Sequence, residues 1–220
     1  MFNGSSDVQL QGQVSGGLKN GQKFALLAEA TFADDAKNPD SDKFGTDYSN
    51  SRLQYFHIFD PGYEAVPNVG LSLDYINTDT NVKNDLLAIG GVVAINPALT
   101  GGLLIFPQIA AMTGSMEIPG VTQKKDDLTG YSLALITARY IGENGAYVSV
   151  VPEYRDLSGD EIDMKSLTFK TALNVPLNDA RSWWLNTRYE FSKTDLDVNG
   201  KALPGGGWQT EAWIGVRRYF

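Results

Sequence analysis

His57 is the only histidine in the chain, so a Ser-His or Asp-His hydrolase mechanism would have to use it. It lies just before the turn residues Asp60, Pro61 and Gly62. Cysteine is absent, which excludes thiolate nucleophiles, thiolate metal sites and disulfides. Because no complete catalytic set accompanies His57, we interpret it as a satisfied or interfacial histidine and predict that the protein is not an enzyme.

Two acidic segments, Asp160–Asp163 and Asp195–Gly200, place oxygen ligands at the alternate positions that hard cations prefer. The second lacks the downstream glutamate of a calcium loop, and we interpret both as solvated loop charge. Weak surface binding of divalent ions is the alternative. Gly205–Gly207 lacks the strand-to-helix context and the Lys-Ser/Thr of a phosphate loop, which favours a loop tip. We therefore predict no metal and no cofactor.

The formal net charge of −8 argues against a nucleic-acid partner, which would require a basic face. The acids gather between apolar stretches, for example at Asp34–Asp47 and at Asp126 and Asp127. This distribution is typical of loops.

Apolar and polar residues alternate over segments about as long as a tilted membrane strand. This alternation predicts the strands that carry the residues described above. No uninterrupted apolar run approaches the roughly 18 residues of a membrane helix. After Asn20-Gly21, a tight-hairpin dipeptide, the alternation resumes. We count eleven segments, namely Asp7–Ser15, Lys23–Phe32, Ser51–Phe59, Val69–Asn77, Leu86–Ile95, Gly102–Thr113, Leu128–Ile141, Ala146–Leu157, Met164–Val175, Trp183–Thr194 and Trp208–Phe220.

Strand parity places the polar face of these segments inside a closed barrel, where it would line a pore. Cations and acids nearly cancel on this face, so we expect a water-filled wall with a transverse field. The alternative is that the charges pair with each other and plug a small barrel. The predicted pore-lining residues are Lys23, Glu29, Arg52, Asp74, Glu153, Arg155, Lys170, Arg188, Glu190, Glu211 and Arg217. On the last strand, Glu211 and Arg217 face inward by the same parity as Arg188 and Glu190, which allows opposite charges to meet across the ladder.

The hairpin from Leu86 to Phe106 is apolar on both faces, which predicts that both faces are covered. Either a plug packs inside the lumen there, or the wall lines an apolar solute path. A partner could also dock from the membrane side, where the small residues Ala88, Gly90, Gly91 and Ala94 would allow close approach.

The chain ends in an alternating strand, Ala212–Phe220, that resembles the C-terminal signature of Gram-negative outer-membrane barrels. The match covers Ala212, Ile214, Val216 and Phe220, and it departs at Arg218. The resemblance implies a porin-like protein of the cell outer membrane, surrounded by lipid and lipopolysaccharide. It also implies that the barrel assembly machinery recognises Phe220 and that Phe220 lies at the periplasmic end.

Together these observations predict one domain, 1–220, forming a transmembrane antiparallel up-and-down β-barrel of twelve strands, with ten as the runner-up. An even number requires an upstream strand, a short strand at Asp42–Ser49, or a first segment outside the wall. Residues 1–6 carry no basic-then-apolar pattern, so we expect a signal peptide to have been removed or never to have existed. A soluble β-sandwich or lipocalin-like barrel is the alternative fold. The predicted function is a channel for small polar solutes or ions, and the alternative is a non-conducting structural or partner-docking barrel.

Overall fold

A computed structural model describes residues 1–3, 6–33, 47–204 and 206–220. It is almost entirely antiparallel sheet, with one short 3-10 helix at Pro97–Thr100. The strands are β1 (Phe2–Asn3), β2 (Val8–Gly17), β3 (Lys23–Ala33), β4 (Asp47–Phe59), β5 (Asn68–Asp79), β6 (Lys83–Ala94), β7 (Leu104–Glu117), β8 (Asp126–Ile141), β9 (Ala146–Ser158), β10 (Ile162–Pro176), β11 (Trp183–Val198), β12 (Lys201–Ala202) and β13 (Gln209–Arg218).

Each strand from β2 to β11 pairs with its sequence neighbours, β11 pairs with β13, and β1 joins β13 to β2. This ladder closes a twelve-strand up-and-down barrel, as the sequence predicted. The short β12 pairs with β11 alone and extends a hairpin beyond the wall. Each long strand from β3 to β10 is paired along both edges, whereas the seam between β2 and β13 is bridged only by β1, which pairs with Val8, Trp213 and Ile214.

The twelfth wall position is β1, which none of the three proposed solutions named. Phe2 pairs with Ile214 and Val8, and the backbone N–H of Gln9 donates to the Met1 carbonyl at 2.8 Å. The first predicted segment does lie in the wall, as β2. Of the proposed strand at Asp42–Ser49, residues 47–49 belong to β4, while 42–46 and the rest of the acidic stretch 34–46 lie outside the described residues.

We name the two rims of the barrel after residues that they carry. The Phe220 end holds the connections 18–22, 60–67, 95–103, 142–145 and 177–182, and the Asp126 end holds 80–82, 118–125 and 159–161. At the Asp126 end the strands run further than predicted, so the stretches 78–85 and 158–163 between the predicted segments are mostly ladder, and only 80–82 and 159–161 connect the strands. Polar pairs continue these ladders; for example, Lys83 Nζ lies 3.1 Å from Asp79 Oδ1. Because these residues do not alternate between apolar and polar, the sequence pattern does not reveal that they belong to strands.

The outer face of the wall carries an exposed belt of large apolar side chains. Leu10, Ile109 and Val216 are each at least 60% exposed, although they lie in the middle of ordered strands. Contiguous exposed apolar surface of this kind marks contact with a membrane or a partner. The belt contains Leu10, Val14, Leu26, Leu53, Leu71, Leu73, Leu87, Ile89, Ile109, Leu133, Leu135, Val150, Leu173, Ile214 and Val216.

Inside the barrel, the Asp126 end of β6 to β11 is filled by a group of buried side chains that we call the apolar cluster. Leu128, Leu157 and Ile162 are completely inaccessible within it. Burial of a single leucine or isoleucine contributes about 1.5–3 kcal/mol, so this cluster is a substantial internal core. Its buried members are Leu86, Ala88, Ala110, Met112, Met116, Ile118, Leu128, Leu157, Ile162, Met164 and Val198.

Close approach of neighbouring strands explains two glycines of the wall. A Cβ on Gly130 would lie 1.9 Å from the Asp156 carbonyl oxygen, and a Cβ on Gly90 would lie 2.3 Å from the Ile109 carbonyl oxygen. Gly90 and Ala88 have the inward parity of β6, so the sequence-based expectation that they present a small-residue surface to the membrane was wrong.

Within the described residues, no helix is long and apolar enough to cross a membrane.

Candidate functional site

Two cavities lined in part by charged side chains occupy the middle of the barrel. One has a volume of about 280 Å³ and is lined from β3 round to β10, while the other, of about 250 Å³, is lined by β2 to β5, β9 to β11 and β13. Arg52 of β4 and Lys170 of β10 line both cavities. Because strands from opposite sides of the sheet contribute to the same cavities, these side chains face the lumen.

Nine of the eleven predicted pore-lining residues lie in this region, and we call them the charged belt. Each points inward by strand parity and lines one or both cavities, or pairs with a residue that does. Their side chains are partly accessible; that of Arg188, for example, is 18% exposed. The belt consists of Glu29, Arg52, Asp74, Glu153, Arg155, Lys170, Arg188, Glu190 and Glu211.

Two cations of the belt are held tightly by acids. Arg52 donates from Nε to both carboxylate oxygens of Asp74, at 2.9 and 3.0 Å, and its Nη2 also binds Asp74. Arg155 donates from Nε to Glu153 at 2.8 Å, and its Nη2 lies 2.7 Å from the same oxygen. Two donors from each guanidinium fix the acid in place, so these pairs form rigid sections of the lumen wall.

Three other charged groups of the belt have no hydrogen bond to any described residue: Lys170, Arg188 and Glu190. The Lys170 ammonium lies 3.8 Å from Glu153, and Arg188 Nε lies 4.0 Å from Glu190. Arg188 Nε is also buried without a hydrogen-bond partner among the described residues, and its guanidinium lies 5.2 Å from the centre of the Trp213 ring. These groups therefore retain hydrogen-bonding capacity directed at the 250 Å³ cavity.

The register between β10, β11 and β13 differs from the sequence-based expectation. Glu190 lies between Lys170 and Glu211, so two acids face each other across the β11–β13 ladder. Arg188 faces Trp213, not an acid. The meeting of opposite charges that parity allows between β11 and β13 does not occur at Glu211, because parity fixes the face of a side chain but not its position along the barrel axis. Directly opposed like charges are unfavourable, which makes this part of the lumen attractive to a cation.

Lys23 and Arg217 lie away from the belt, near the Phe220 end. Lys23 lines a third cavity of about 200 Å³ whose other walls, including Ile58 and Phe106, are mainly apolar. Arg217 donates from Nη2 to Gln11 at 3.1 Å. Both have the predicted inward parity, but Lys23 lies apart from the charged belt, whereas Arg217 lines a cavity of about 230 Å³ together with Glu29 of that belt.

Uncharged polar residues complete the lumen; strand alternation predicts the inward position of Gln9, Gln11 and Asn186, whereas Asn174 and Trp213 were not predicted. Gln11 donates from its amide to Glu29 at 3.0 Å and also to Gln9, while Trp213 donates to Glu211 at 3.0 Å. Asn186 donates to Asn174, both buried. Strand parity could have selected all of these residues, since each alternates with an outward apolar or small residue.

His57 lies near the Phe220 end with the outward parity of β4, between Tyr55 and Phe59. Its Nδ1 lies 2.9 Å from the Tyr55 hydroxyl, its Nε2 lies 2.8 Å from Gln22 Oε1, and its ring lies 4.7 Å from that of Phe59. Both ring nitrogens are thus engaged by neutral partners in an aromatic rim. This is the geometry of a satisfied histidine.

The chain terminus combines exposed apolar and cationic groups. Phe220 follows β13 and is fully exposed, while Ile214 and Val216 belong to the outer belt. Arg218, where the C-terminal resemblance is broken, places its guanidinium 5.2 Å from the Trp183 ring centre and 4.6 Å from that of Phe220. Stacking of this kind lets an arginine lie among aromatics at an interface.

The doubly apolar hairpin from Leu86 to Phe106 is covered on its inner face. Leu86 and Ala88 belong to the apolar cluster, and Val82, Leu196 and Leu203 pack against that cluster from the Asp126 end. On the outer face, Leu87 and Ile89 belong to the exposed belt. The docking of a partner on that outer face stays a prediction.

The acidic segments form turns and hairpin ends. Asp126 accepts hydrogen bonds from the backbone N–H groups of Asp160, Glu161 and Ile162, at 2.8 to 3.1 Å, and so fixes the β9–β10 connection. Asn199 and Gly200 form a tight hairpin between β11 and β12. In the described part of the chain, no group of three or more His, Cys, Asp or Glu side chains is arranged to hold a metal ion.

A comparison with protein-family models finds no match, and a comparison with curated proteins finds none either.

Proposed function

We propose that the protein is an outer-membrane channel that passes small polar solutes or ions through the barrel lumen. The observation that carries this proposal is the charged belt, which surrounds two cavities of about 280 and 250 Å³ that have Arg52 and Lys170 in common. Charged groups inside a closed barrel need water or solute for solvation, and a wall of mixed sign favours hydrated polar species over lipids.

The outer surface supports membrane insertion. Apolar belt residues face outward in mid-strand, and aromatic residues including Tyr55, Phe59 and Trp183 lie near the Phe220 end. This matches the outward apolar band with flanking aromatic girdles of outer-membrane barrels. In this arrangement Phe220 lies at the periplasmic end and meets the assembly machinery, while the Asp126 end faces the lipopolysaccharide surface.

The interior indicates a narrow path. Barrels of about eight strands are filled by side chains, and those of about 16 to 18 strands enclose wide channels. In this twelve-strand barrel the apolar cluster fills the β6 to β11 side at the Asp126 end. The polar path therefore runs along the other side, past Gln9, Thr31 and Asn50, which line the 250 Å³ cavity.

Planar-bilayer recording tests the proposal. Protein whose folding is verified by heat-modifiable gel migration should give small, discrete conductance steps. Heat-denatured protein added at the same concentration is the control, and it should give none. Absence of conductance in several folded preparations would contradict the proposal.

A second candidate, a non-conducting structural or partner-docking barrel, is favoured by the apolar cluster itself. Side chains such as Leu128 and Leu157, with no accessible surface, occupy lumen space that a wide pore would leave open. In that case the exposed outer face of the β6–β7 hairpin would bind a partner in the membrane. Copurification from native membranes would support this candidate, and a persistent monomer under all gentle detergent conditions would count against it.

A further inference from the structure

The 250 Å³ cavity presents unsatisfied groups of both signs along one stretch of wall. Lys170 and Arg188 offer donors, and Glu190 offers acceptors, with no hydrogen bond among the described residues. One water occupies about 30 Å³ in the liquid, so the cavity has room for a solute of a few heavy atoms. Arg188 lines this cavity with a side chain that is 18% exposed, and its guanidinium makes no hydrogen bond to a described residue.

Two neighbouring cations are already committed, because Arg52 is held by Asp74 and Arg155 by Glu153. Glu29 and Glu211 also line the cavity, and each accepts one hydrogen bond from a neutral donor, which leaves further acceptor capacity on both carboxylates. The groups that can bind a solute are therefore a cationic pair, Lys170 and Arg188, and an acidic pair in which one member accepts no hydrogen bond and the other accepts one.

The acidic pair is Glu190 and Glu211, which face each other across the β11–β13 ladder. Adjacent strands lie about 4.8 Å apart, so these two carboxylates can both reach a single ammonium. Lys170 of β10 lies opposite Glu190 on the strand edge away from Glu211. Arg188 precedes Glu190 by two residues on β11 and therefore points to the same face. The cationic and acidic pairs are thus next to each other.

We propose that this cavity binds zwitterionic solutes that carry a carboxylate and an ammonium group, such as free amino acids. The carboxylate binds Lys170 and Arg188, and the ammonium binds Glu190 and Glu211. Arginine suits the planar carboxylate because its guanidinium can donate two parallel hydrogen bonds. This inference rests on the proposed function, because the solute reaches the site through the lumen.

Trp213 provides the signal for the test, since its indole lies beneath Arg188 and donates to Glu211. Glycine is titrated into detergent-folded protein while tryptophan fluorescence is recorded, and Trp213→Phe identifies the contribution of Trp213 among the four tryptophans. Acetate and methylammonium are titrated separately, because acetate carries only the carboxylate of glycine and methylammonium only its ammonium group. Glycine should saturate the signal at a concentration about tenfold lower than either ion, as expected when a second charge-assisted contact adds about 1.4 kcal/mol.

Two variants and a matched control locate the site. Arg188→Gln and Glu190→Gln should each raise the half-saturating glycine concentration about tenfold, since each removes one charged contact. Lys193→Gln, on the same strand but facing outward and paired with Asp195, should leave it unchanged. Using two variants of opposite sign keeps the test valid if one of them fails to fold.

Several outcomes would overturn the inference. Equal responses to glycine and acetate would show a simple anion site, and unaltered glycine binding in both variants would place binding elsewhere. Conductance without saturable glycine binding would refute the zwitterion site but not the channel. Glycine binding without conductance would refute the channel but not the site, which would then lie in a closed barrel.

Discussion

The two sides of the barrel interior are built from opposite kinds of side chain on the same alternating backbone. On β6 to β10, near the Asp126 end, inward positions hold the apolar cluster, which includes Leu86, Leu128 and Leu157. On β11 and β13, inward positions hold Arg188, Glu190 and Glu211. One side is a sealed core, and the other keeps unsatisfied polar groups beside a cavity.

This difference separates two tasks within one wall. The apolar cluster gains stability from burial, in the manner of a soluble core, and excludes water. Arg188 contributes little to stability, because it lies 4.0 Å from Glu190 and a partly hydrated ion pair is worth roughly 0–1 kcal/mol. Arg188 should therefore tolerate substitution with altered permeation, whereas the residues of the apolar cluster should not.

The largest effect is expected for Leu128→Asp, which places a charge where the side chain has no accessible surface. An unpaired buried charge costs about 3–5 kcal/mol or more, so we expect little folded protein. Ser132→Asp is the matched control, because Ser132 is inward on the same strand but lines the polar cavity. Urea titration of both variants in vesicles measures the difference, and equal stabilities would show that the cluster is not a sealed core.

A charge on the outer belt should have the next largest effect. In the proposed membrane, Ile214→Arg should destabilise the folded barrel by about 2–4 kcal/mol, because an exposed mid-strand side chain would face hydrocarbon. Thr210→Arg, on the same face but near the end of β13, should cost roughly 0–1 kcal/mol. Folding yields into vesicles compare the two. If Ile214→Arg folds as well as the wild type, the outer face is not lipid-exposed.

A smaller effect is expected for Asp126→Ala, which removes the acceptor of three backbone N–H groups in the β9–β10 connection. Leaving buried donors unsatisfied costs about 1–3 kcal/mol. Asp127→Ala is the control, because that side chain points outward at the same rim. Thermal unfolding followed by gel migration should separate the two variants, and identical midpoints would contradict the structural role of Asp126.

The smallest effect on stability belongs to Arg188→Ala, which should change the free energy of unfolding by less than about 1 kcal/mol. It removes one lumen cation, so ion selectivity should move toward cations. Lys193→Ala, outward on the same strand, should leave selectivity unchanged. A large loss of stability in Arg188→Ala with normal folding of Ile214→Arg would mean that the inner and outer faces are reversed.

Strand parity made much of this architecture predictable from the sequence. The period-2 pattern located the eleven long wall strands and correctly assigned the inward face of residues such as Arg52 and Lys170. It missed β1, because two residues, Phe2 and Asn3, are too few to show a period. The pattern also predicted strand ends too early at the Asp126 end. There the paired residues 77–79 and 83–85 are polar on both faces of the sheet, so apolar and polar residues no longer alternate.

The pairing of the lumen charges could not be predicted in the same way. Which residues meet depends on the height of each strand, and this is set by connection lengths and by the stagger of the closed barrel. Because of that stagger, Glu190 lies opposite Glu211 and not opposite a cation on β13. Sequence spacing along one strand holds no information about it.

The central claim is that the charged side of the lumen conducts. Single-channel recording under a salt gradient, with wild type and Arg188→Ala compared in the same bilayer composition, tests it most directly. We expect discrete openings in both proteins and a reversal potential that shifts toward cation selectivity in Arg188→Ala. Folded wild-type protein without openings, or identical reversal potentials in the two proteins, would contradict the account.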